Sequence, residues 1–343
     1  MDILKGTVLL LVVLCLFSLF SYKAPHGMKA MGALANAAVA AFLVEAFQHY
    51  VGGDLLGIKF LGEVGTAAGG MGGVAAAALV ALALGVSPVY SLMIGVACSG
   101  LGLLPGFVAG YLVAYLSKWV ENKLPAGLDL LGNVLIIAPI ARLIAVGVDP
   151  VVNATLLNIG GVIKQTATSS PVVMGIILGG VITVVATAPL SSMALTAMLG
   201  LTGLPMAIGA LAVMGSSFMN YVLFDRMKFG DRRTTISVAI EPLTQSDIIS
   251  ANPIPVYVTN FVGGAAAGVV VSLFGLVNNA AGTATPIAGL AVMYGFNDPI
   301  RVTICAALCA IVSALVGYIG SIVFKNYNIK TVAEIRGDAK QAA

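Results

Sequence analysis

Residues 165–224 read QTATSSPVVMGIILGGVITVVATAPLSSMALTAMLGLTGLPMAIGALAVMGSSFMNYVLF, a stretch without one Asp, Glu, Lys or Arg. A helical crossing of a bilayer needs about 20 predominantly apolar residues. The stretch therefore has room for at least two crossings. A soluble domain does not bury this much apolar surface, and a protein that exposed it to water would aggregate. This part of the chain is predicted to lie in a membrane.

Two further uncharged stretches extend the same pattern over much of the chain. They are residues 64–117 and 248–297, and the 343 residues as a whole are 59% hydrophobic and 9% charged. An ordinary soluble domain has about 25% charged residues. The sequence therefore predicts an all-α, polytopic membrane protein of about ten transmembrane helices with re-entrant hairpins. We expect one transporter-like transmembrane domain over 1–324, a short tail over 325–343, and the lipid bilayer as surroundings.

Lysine and arginine placement predicts the orientation. The densest basic cluster is residues 225–233, DRMKFGDRR, and the tail carries four more basic residues. Because basic loops concentrate on the cytoplasmic side, we expect this cluster, the tail and both termini to be cytoplasmic. Lys23 and Lys29 follow the first apolar run, and by the same rule they argue against a cytoplasmic N-terminus. The net charge of +3 is scattered and forms no patch that would suit nucleic acid.

Two apolar segments share a proline that follows small, hydroxyl-bearing residues. They are residues 186–195, ATAPLSSMAL, and 283–292, TATPIAGLAV. Proline interrupts helical hydrogen bonding, and backbone groups freed at membrane depth must face protein or a watery cavity. Transporters use such broken helices at their binding sites, although chance similarity in apolar sequence explains the likeness equally well. The candidate site residues here are Pro189, Ser191, Ser192, Thr283 and Thr285.

An acid that precedes a proline is the best candidate for ligand binding. It lies in residues 240–247, IEPLTQSD. Proline disfavours a helical conformation in the residue before it, so we expect this acid at a helix break or hairpin tip. A carboxylate beside Thr, Gln and Asn suits a polyhydroxylated ligand, whose hydroxyls donate to it; the alternative is a loop acid at the membrane surface. The candidate residues are Glu241, Pro242, Thr244, Gln245 and Asn252.

The sequence contains no recognisable catalytic motif. It has no HExxH, GxSxG or phosphate-binding Gly-rich loop, and its only histidines are His26 and His49. The four cysteines lie in apolar runs without CxxC spacing, which favours packing over a disulfide or a metal site. We therefore identify no catalytic residue set and expect no cofactor and no metal, so that transporters and binding proteins are the favoured classes.

The Glu-Pro segment also carries a family resemblance. Residues 239–243 (AIEPL), 253–256 (PIPV) and 262–268 (VGGAAAG) resemble the Glu-Pro signature of sugar enzyme IIC proteins, the membrane components of the bacterial phosphotransferase system. Upstream, residues 102–113 (GLLPGFVAGYLV) and 173–180 (VMGIILGG) are similar to glycine-patterned spans of fructose-type members. A close group is the IIC-like family that includes the perfringolysin O regulator-like proteins.

The resemblance implies a homodimer in the bacterial plasma membrane, with re-entrant hairpins and a sugar site near the midplane. It implies that Glu241 accepts a hydrogen bond from a sugar hydroxyl, and that Pro189, Ser191 and Ser192 lie on another hairpin-like element. Glucose- and chitobiose-type members place a His in the substrate site before the Glu-Pro segment. The chain departs from them, because its last His is His49. We expect a stand-alone IIC-like protein served by separate IIA and IIB proteins.

Two functions fit these observations. The first is a membrane transporter of a small polar solute, expected to be a sugar or sugar derivative. The second is a membrane-embedded sensor or regulator that binds such a solute and signals through its cytoplasmic loop or tail. Both use the same site, and solute flux separates them, since a pure sensor binds without flux.

Overall fold

The computed structural model describes residues 8, 12, 15–17, 19–21, 23–152, 154, 160–161, 163, 170–188 and 192–336. Over these residues the chain is helical, and the one β-type pairing among them is a bridge between Gly203 and Asn278. The predicted all-α class is confirmed. Lipid explains it, because a helix satisfies its own backbone N–H and C=O groups where water is absent.

The helices are numbered here in chain order. They are α1 (Gly27–Leu55), α2 (Lys59–Gly69), α3 (Gly72–Ala83), α4 (Pro88–Ala97), α5 (Leu103–Lys123), α6 (Leu128–Val152), α7 (Pro171–Thr187), α8 (Ser192–Met198), α9 (Leu204–Met227), α10 (Arg232–Ile240), α11 (Ser246–Ala251), α12 (Pro253–Phe274), α13 (Pro286–Phe296), α14 (Pro299–Val323) and α15 (Val332–Arg336).

Six of these helices, α1, α5, α6, α9, α12 and α14, are long and apolar enough to cross a membrane. A seventh crossing results if α2 and α3, which meet at a 52° bend, count as one span. The predicted count of about ten is not confirmed within the described residues. That count followed the number of apolar runs in the sequence, whereas α4, α7 and α13 have 10 to 17 residues, fewer than the about 20 that a crossing needs.

The described residues form two compact units. The N-terminal unit lies within Val8–Gly161 and Met193–Gly200. In it, a Cβ added to Gly106 would come within 2.2 Å of the Gly73 carbonyl oxygen. Glycine at both positions therefore lets α3 and α5 approach backbone to backbone, as small residues do between helices in lipid.

The C-terminal unit consists of the described residues within 163–192 and 201–336. Its helices α7 and α12 run antiparallel in close contact. A Cβ on Gly268 would lie 2.0 Å from the Gly175 carbonyl oxygen, and one on Gly179 would lie 2.2 Å from the Gly264 carbonyl oxygen. Any side chain at these four positions would push the two helices apart, so this glycine pattern fixes their spacing.

Buried polar groups join three helices of the C-terminal unit. Asn260 Nδ2 donates to Asn220 Oδ1 at 2.8 Å, and Asn220 Nδ2 donates back to Asn260 Oδ1 at 3.2 Å. The Thr183 hydroxyl donates to the Asn260 carbonyl oxygen at 2.8 Å. Because all three side chains are buried, these bonds satisfy groups that would otherwise be costly at membrane depth. They hold α7, α9 and α12 in one register.

Candidate functional site

The segment between α9 and α12, residues 228–252, forms a short hairpin and is called the first hairpin below. Its helices α10 and α11 have nine and six residues. At about 1.5 Å per residue, neither covers the about 30 Å of hydrocarbon. Phe224 near the end of α9 and Val256 near the start of α12 belong to one buried cluster. The first hairpin therefore leaves and returns at the same end of the C-terminal unit.

An acidic N-cap starts the first hairpin. The Asp231 carboxylate accepts hydrogen bonds from the Thr234 N–H at 2.9 Å and from the Thr234 hydroxyl at 2.8 Å. These two donors hold the pKa of the Asp231 carboxyl below its usual value. A cap of this kind satisfies a helix N–H group that has no partner within the helix, so it fixes where α10 begins.

A second hairpin, residues 275–297, enters from the other end of the unit. Asn297 Nδ2 donates to the Val277 carbonyl oxygen at 2.7 Å, and Asn297 Oδ1 accepts from the Val277 N–H at 2.9 Å. Gly203, directly before α9, exchanges backbone hydrogen bonds of 2.7 and 3.0 Å with Asn278. The second hairpin thus leaves and returns where α9 begins. Its helix α13 has only 11 residues.

The tips of the two hairpins meet. The Thr285 hydroxyl, at the tip of the second hairpin, donates to Glu241 Oε2, at the tip of the first, at 2.9 Å. The nine residues of α10 and the 11 of α13 span about 14 and 16 Å, against about 36 Å for the 24-residue α9. The contact therefore lies near the middle of α9. This geometry matches the predicted re-entrant hairpins and places Glu241 at a tip.

The backbone around Glu241 is extended, as the following proline requires. Glu241 has φ −150° and ψ 100° and ends α10. The Thr244 hydroxyl donates to the Glu241 carbonyl oxygen at 2.8 Å, and Gln245 Nε2 donates to the Thr244 hydroxyl at 3.1 Å. Pro242 is buried. Thr244, Gln245 and Pro242 thus shape the loop that presents the Glu241 carboxylate.

The start of α13 faces the same carboxylate. Thr285 is the N-cap residue of α13, and its side chain makes no capping hydrogen bond to the helix. Its hydroxyl instead donates to Glu241. A helix N-terminus carries a partial positive charge and favours an anion. A carboxylate has about four acceptor positions, and the Thr285 hydroxyl occupies one of them.

Other predicted residues gather beside this contact. The Ser192 hydroxyl donates at 2.6 Å to the carbonyl oxygen of Ala284, the residue directly before Thr285. The Thr283 hydroxyl donates to the Ala280 carbonyl oxygen at 2.8 Å and accepts from Asn278 Nδ2 at 2.9 Å, so it shapes the second hairpin. The predicted site residues Pro189 and Ser191 lie outside the described residues.

Asn252 lies at the base of the first hairpin, away from the tip contact. Its Nδ2 donates to the carbonyl oxygens of Ile248 at 2.9 Å and Lys330 at 2.8 Å, and its Oδ1 accepts from the Lys330 N–H at 2.7 Å. The Val332 N–H donates to the Phe229 carbonyl oxygen at 2.9 Å. Asn252 therefore ties the C-terminal segment to the first hairpin, and the sequence reasoning missed this role.

Two further positions of the second hairpin were also missed by sequence reasoning. Asn278 and Asn297 lie at its base, and each is an amide side chain within the uncharged stretch 248–297. An amide in apolar sequence is a usable signal, because it is costly at membrane depth unless it bonds to backbone or ligand. Among the described residues, no group of three or more His, Cys, Asp or Glu side chains could hold a metal ion.

The family model described as "Phosphotransferase system, EIIC" matches residues 28–335. The chain belongs to this family. The match includes both hairpins and the Glu241–Thr285 contact at their tips. As an EIIC protein, the chain is a multi-pass membrane component of a sugar phosphotransferase system, a system that works with IIA and IIB components. No curated protein matches the chain significantly.

Proposed function

We propose that this EIIC protein carries a sugar or sugar derivative across the bacterial plasma membrane and that Glu241 accepts hydrogen bonds from its hydroxyls. The observation that carries the proposal is the hydrogen bond from Thr285 to Glu241. It brings an acid, a hydroxyl and a helix N-terminus together where two half-length hairpins meet. An acid at membrane depth is costly unless donors satisfy it, and ligand hydroxyls would be such donors.

The other predicted residues take different places in this proposal. Thr285 lies beside the ligand in this proposal because it bonds Glu241. Ser192 lies there as well because it bonds the carbonyl oxygen of Ala284, next to Thr285. Pro242, Thr244 and Gln245 hold the shape of the first tip. Thr283 holds the shape of the second tip. Asn252 joins the tail to the first hairpin.

The orientation proposal concerns the basic loop and the tail. We propose that both are cytoplasmic, where separate IIA and IIB proteins would phosphorylate the sugar. Support comes from the hydrogen bond between Val332 and Phe229 and from the bonds between Lys330 and Asn252. These bonds put the two basic segments at one end of the C-terminal unit, as a shared side requires.

We also propose that the protein is a homodimer, by its family resemblance. The glycine faces of α12 that include Gly263, Gly264 and Gly268 are not available for this contact. Gly264 and Gly268 pack on α7, and a Cβ on Gly263 would lie 2.2 Å from the Met219 sulfur. Self-association would therefore use exposed apolar side chains outside these faces. Crosslinking in native membranes should give a dimer band, and a monomer at every detergent-to-lipid ratio would count against the dimer.

The test of the transport proposal is a ligand screen followed by a flux measurement. The purified protein is heated with D-glucose, D-fructose, N-acetyl-D-glucosamine, D-mannitol or D-gluconate, and its unfolding midpoint is recorded. We expect at least one compound to raise the midpoint, because a ligand that binds only the folded state stabilises it. The radiolabelled form of that compound should then equilibrate across proteoliposomes containing the protein. No stabilisation by any compound would contradict the proposal.

A sensor is the second candidate function. The bonds from Asn252 to Lys330 connect the first hairpin, which carries Glu241, to the tail. Ligand binding at the tip could therefore change how the tail is held. In the same proteoliposomes a sensor would bind the stabilising compound without moving it, so binding without flux would favour this function over transport.

A further inference from the structure

Two buried side-chain hydroxyls among the described residues have no hydrogen-bond partner, those of Ser217 and Ser313. An unsatisfied buried donor or acceptor destabilises the folded protein. The neighbouring Ser216 follows the usual helical solution, since its hydroxyl donates to the Val213 carbonyl oxygen at 2.7 Å. The Ser217 hydroxyl makes no such bond. Ser217 is only 9% exposed and lies in the middle of α9.

The position of Ser217 on α9 follows from its neighbours on the same face. Residues seven apart on a helix lie on one face, about 10 Å apart along the axis. Ala210 is seven residues before Ser217, and a Cβ on Gly289 of α13 would lie 3.3 Å from the Ala210 Cα. Phe224 is seven residues after Ser217 and shares a buried cluster with Val238 of α10. Ser217 therefore lies between the two hairpins.

The level of Ser217 is also that of the hairpin tips. Gly289 lies beside Ala210, and Thr285 precedes Gly289 by about one helical turn, toward the hairpin tip. Thr285 therefore lies near the level of the middle of α9. Glu241 ends α10 at about the corresponding height from the other side. Ser217 thus stands on the face of α9 behind the contact between Thr285 and Glu241.

The other unpartnered hydroxyl belongs to a different environment. A Cβ on Gly215 would lie 2.6 Å from Ser313 Oγ, so Ser313 fills the tight contact between α9 and α14. Gly215 and Ser217 are two residues apart, which is about 200° around a helix. Ser217 therefore points away from α14 and from this packing contact, and Ser313 provides a matched control.

We propose that the Ser217 hydroxyl is a further ligand contact of the sugar site, which rests on the proposed function. The carboxylate of Glu241 only accepts hydrogen bonds, whereas a serine hydroxyl both donates and accepts. One sugar hydroxyl donates to Glu241, and a second sugar oxygen accepts from Ser217. The pair selects compounds with two hydroxyl oxygens placed to reach α9 and the first hairpin tip together, which is the pattern of a sugar or a polyol.

The test compares Ser217→Ala with Ser313→Ala in the full-length protein. Ser217→Ala replaces an unpaired hydroxyl with a hydrogen atom and therefore costs no hydrogen bond in the unliganded protein. We expect the unfolding midpoint of Ser217→Ala without sugar to equal or exceed that of the wild type. Its affinity for the stabilising compound of the panel should fall about 3- to 10-fold, the loss expected for one neutral hydrogen bond. Ser313→Ala should leave that affinity unchanged.

Three outcomes would overturn the proposal. A sugar-free midpoint that falls in Ser217→Ala assigns the hydroxyl to folding, whatever the affinity. An affinity equal to wild type in Ser217→Ala, while Glu241→Gln is weakened, removes Ser217 from the site and leaves the proposed function standing. No stabilisation of the wild-type protein by any compound of the panel overturns both.

Discussion

Replacing Glu241 with Gln tests the acid at the hairpin tips most directly. The amide keeps the shape of the side chain and one oxygen that accepts from Thr285, so the tip contact is preserved. It removes the charge that strengthens bonds from ligand hydroxyls. A hydrogen bond to a charged group contributes about 1.5–3 kcal/mol. At about 1.4 kcal/mol per tenfold, the affinity should fall roughly 10- to 100-fold.

The assay is isothermal calorimetry of the wild type and Glu241→Gln with the compound that stabilises the wild type. Glu63→Gln, which neutralises an exposed acid in the N-terminal unit, is the control and should bind normally. Thr285→Val removes the hydroxyl that donates to Glu241 and that the proposal places beside the ligand, where one neutral hydrogen bond to a sugar oxygen contributes about 1 kcal/mol. Its affinity should fall about fivefold, less than that of Glu241→Gln.

One result would refute this reasoning. If Glu241→Gln has the expression level, the unfolding midpoint and the affinity of the wild type, then Glu241 does not bind the ligand. The carboxylate would then have a structural role, which includes holding Thr285 between the hairpins. Ser192 and the segment Thr283–Thr285 would become the better candidates for ligand binding.

Further predictions address the base of the hairpin, the glycine contact and the orientation. Asn252→Ala should lower the unfolding midpoint and speed proteolysis of the tail, because three hydrogen bonds of about 1 kcal/mol each are lost. An unchanged rate of tail proteolysis would refute the role of Asn252 in holding the tail. Gly268→Leu should prevent α7 from packing on α12 and abolish the folded monodisperse protein, whereas a wild-type elution profile would contradict that packing. Asp231→Ala should lower stability by about 1 kcal/mol at neutral pH. Because the folded-state pKa of Asp231 lies below the usual 3.8, the contribution of this cap is present above about pH 4 and is lost as the pH falls through the folded pKa, so wild type and variant should converge in acid. Cysteines placed singly at Lys228 and Asn328, in a background without other cysteines, should resist a membrane-impermeant thiol reagent in intact cells, and labelling from outside would refute the cytoplasmic orientation.

The helical membrane class was predictable because it depends on composition and on the spacing of charges. Residues 165–224 contain no charge, and lipid leaves the helix as the simplest way to pair every backbone group. The Glu-Pro order was also readable, since proline constrains the residue before it whatever surrounds them. Hence a break at Glu241 was expected, and the structure has it.

Crossing number was not predictable in the same way. An apolar run shows that a segment avoids water, but it does not show whether the segment crosses or turns back. α13 has an apolar sequence like the long helices. It belongs to a hairpin because Asn297 and Val277 bond to each other across its base. Such a bond joins residues 20 apart, which no local pattern reveals.

The sequence by itself determined a polytopic helical membrane protein and an acid at a proline break, because both follow from residue chemistry and near neighbours. Only the tertiary structure decided that Glu241 meets Thr285, 44 residues away. It also showed that Asn252 binds Lys330, 78 residues away, and that Ser217 has no partner. These facts depend on which helix ends come together, and that is set by packing between glycine faces and buried amides of distant segments.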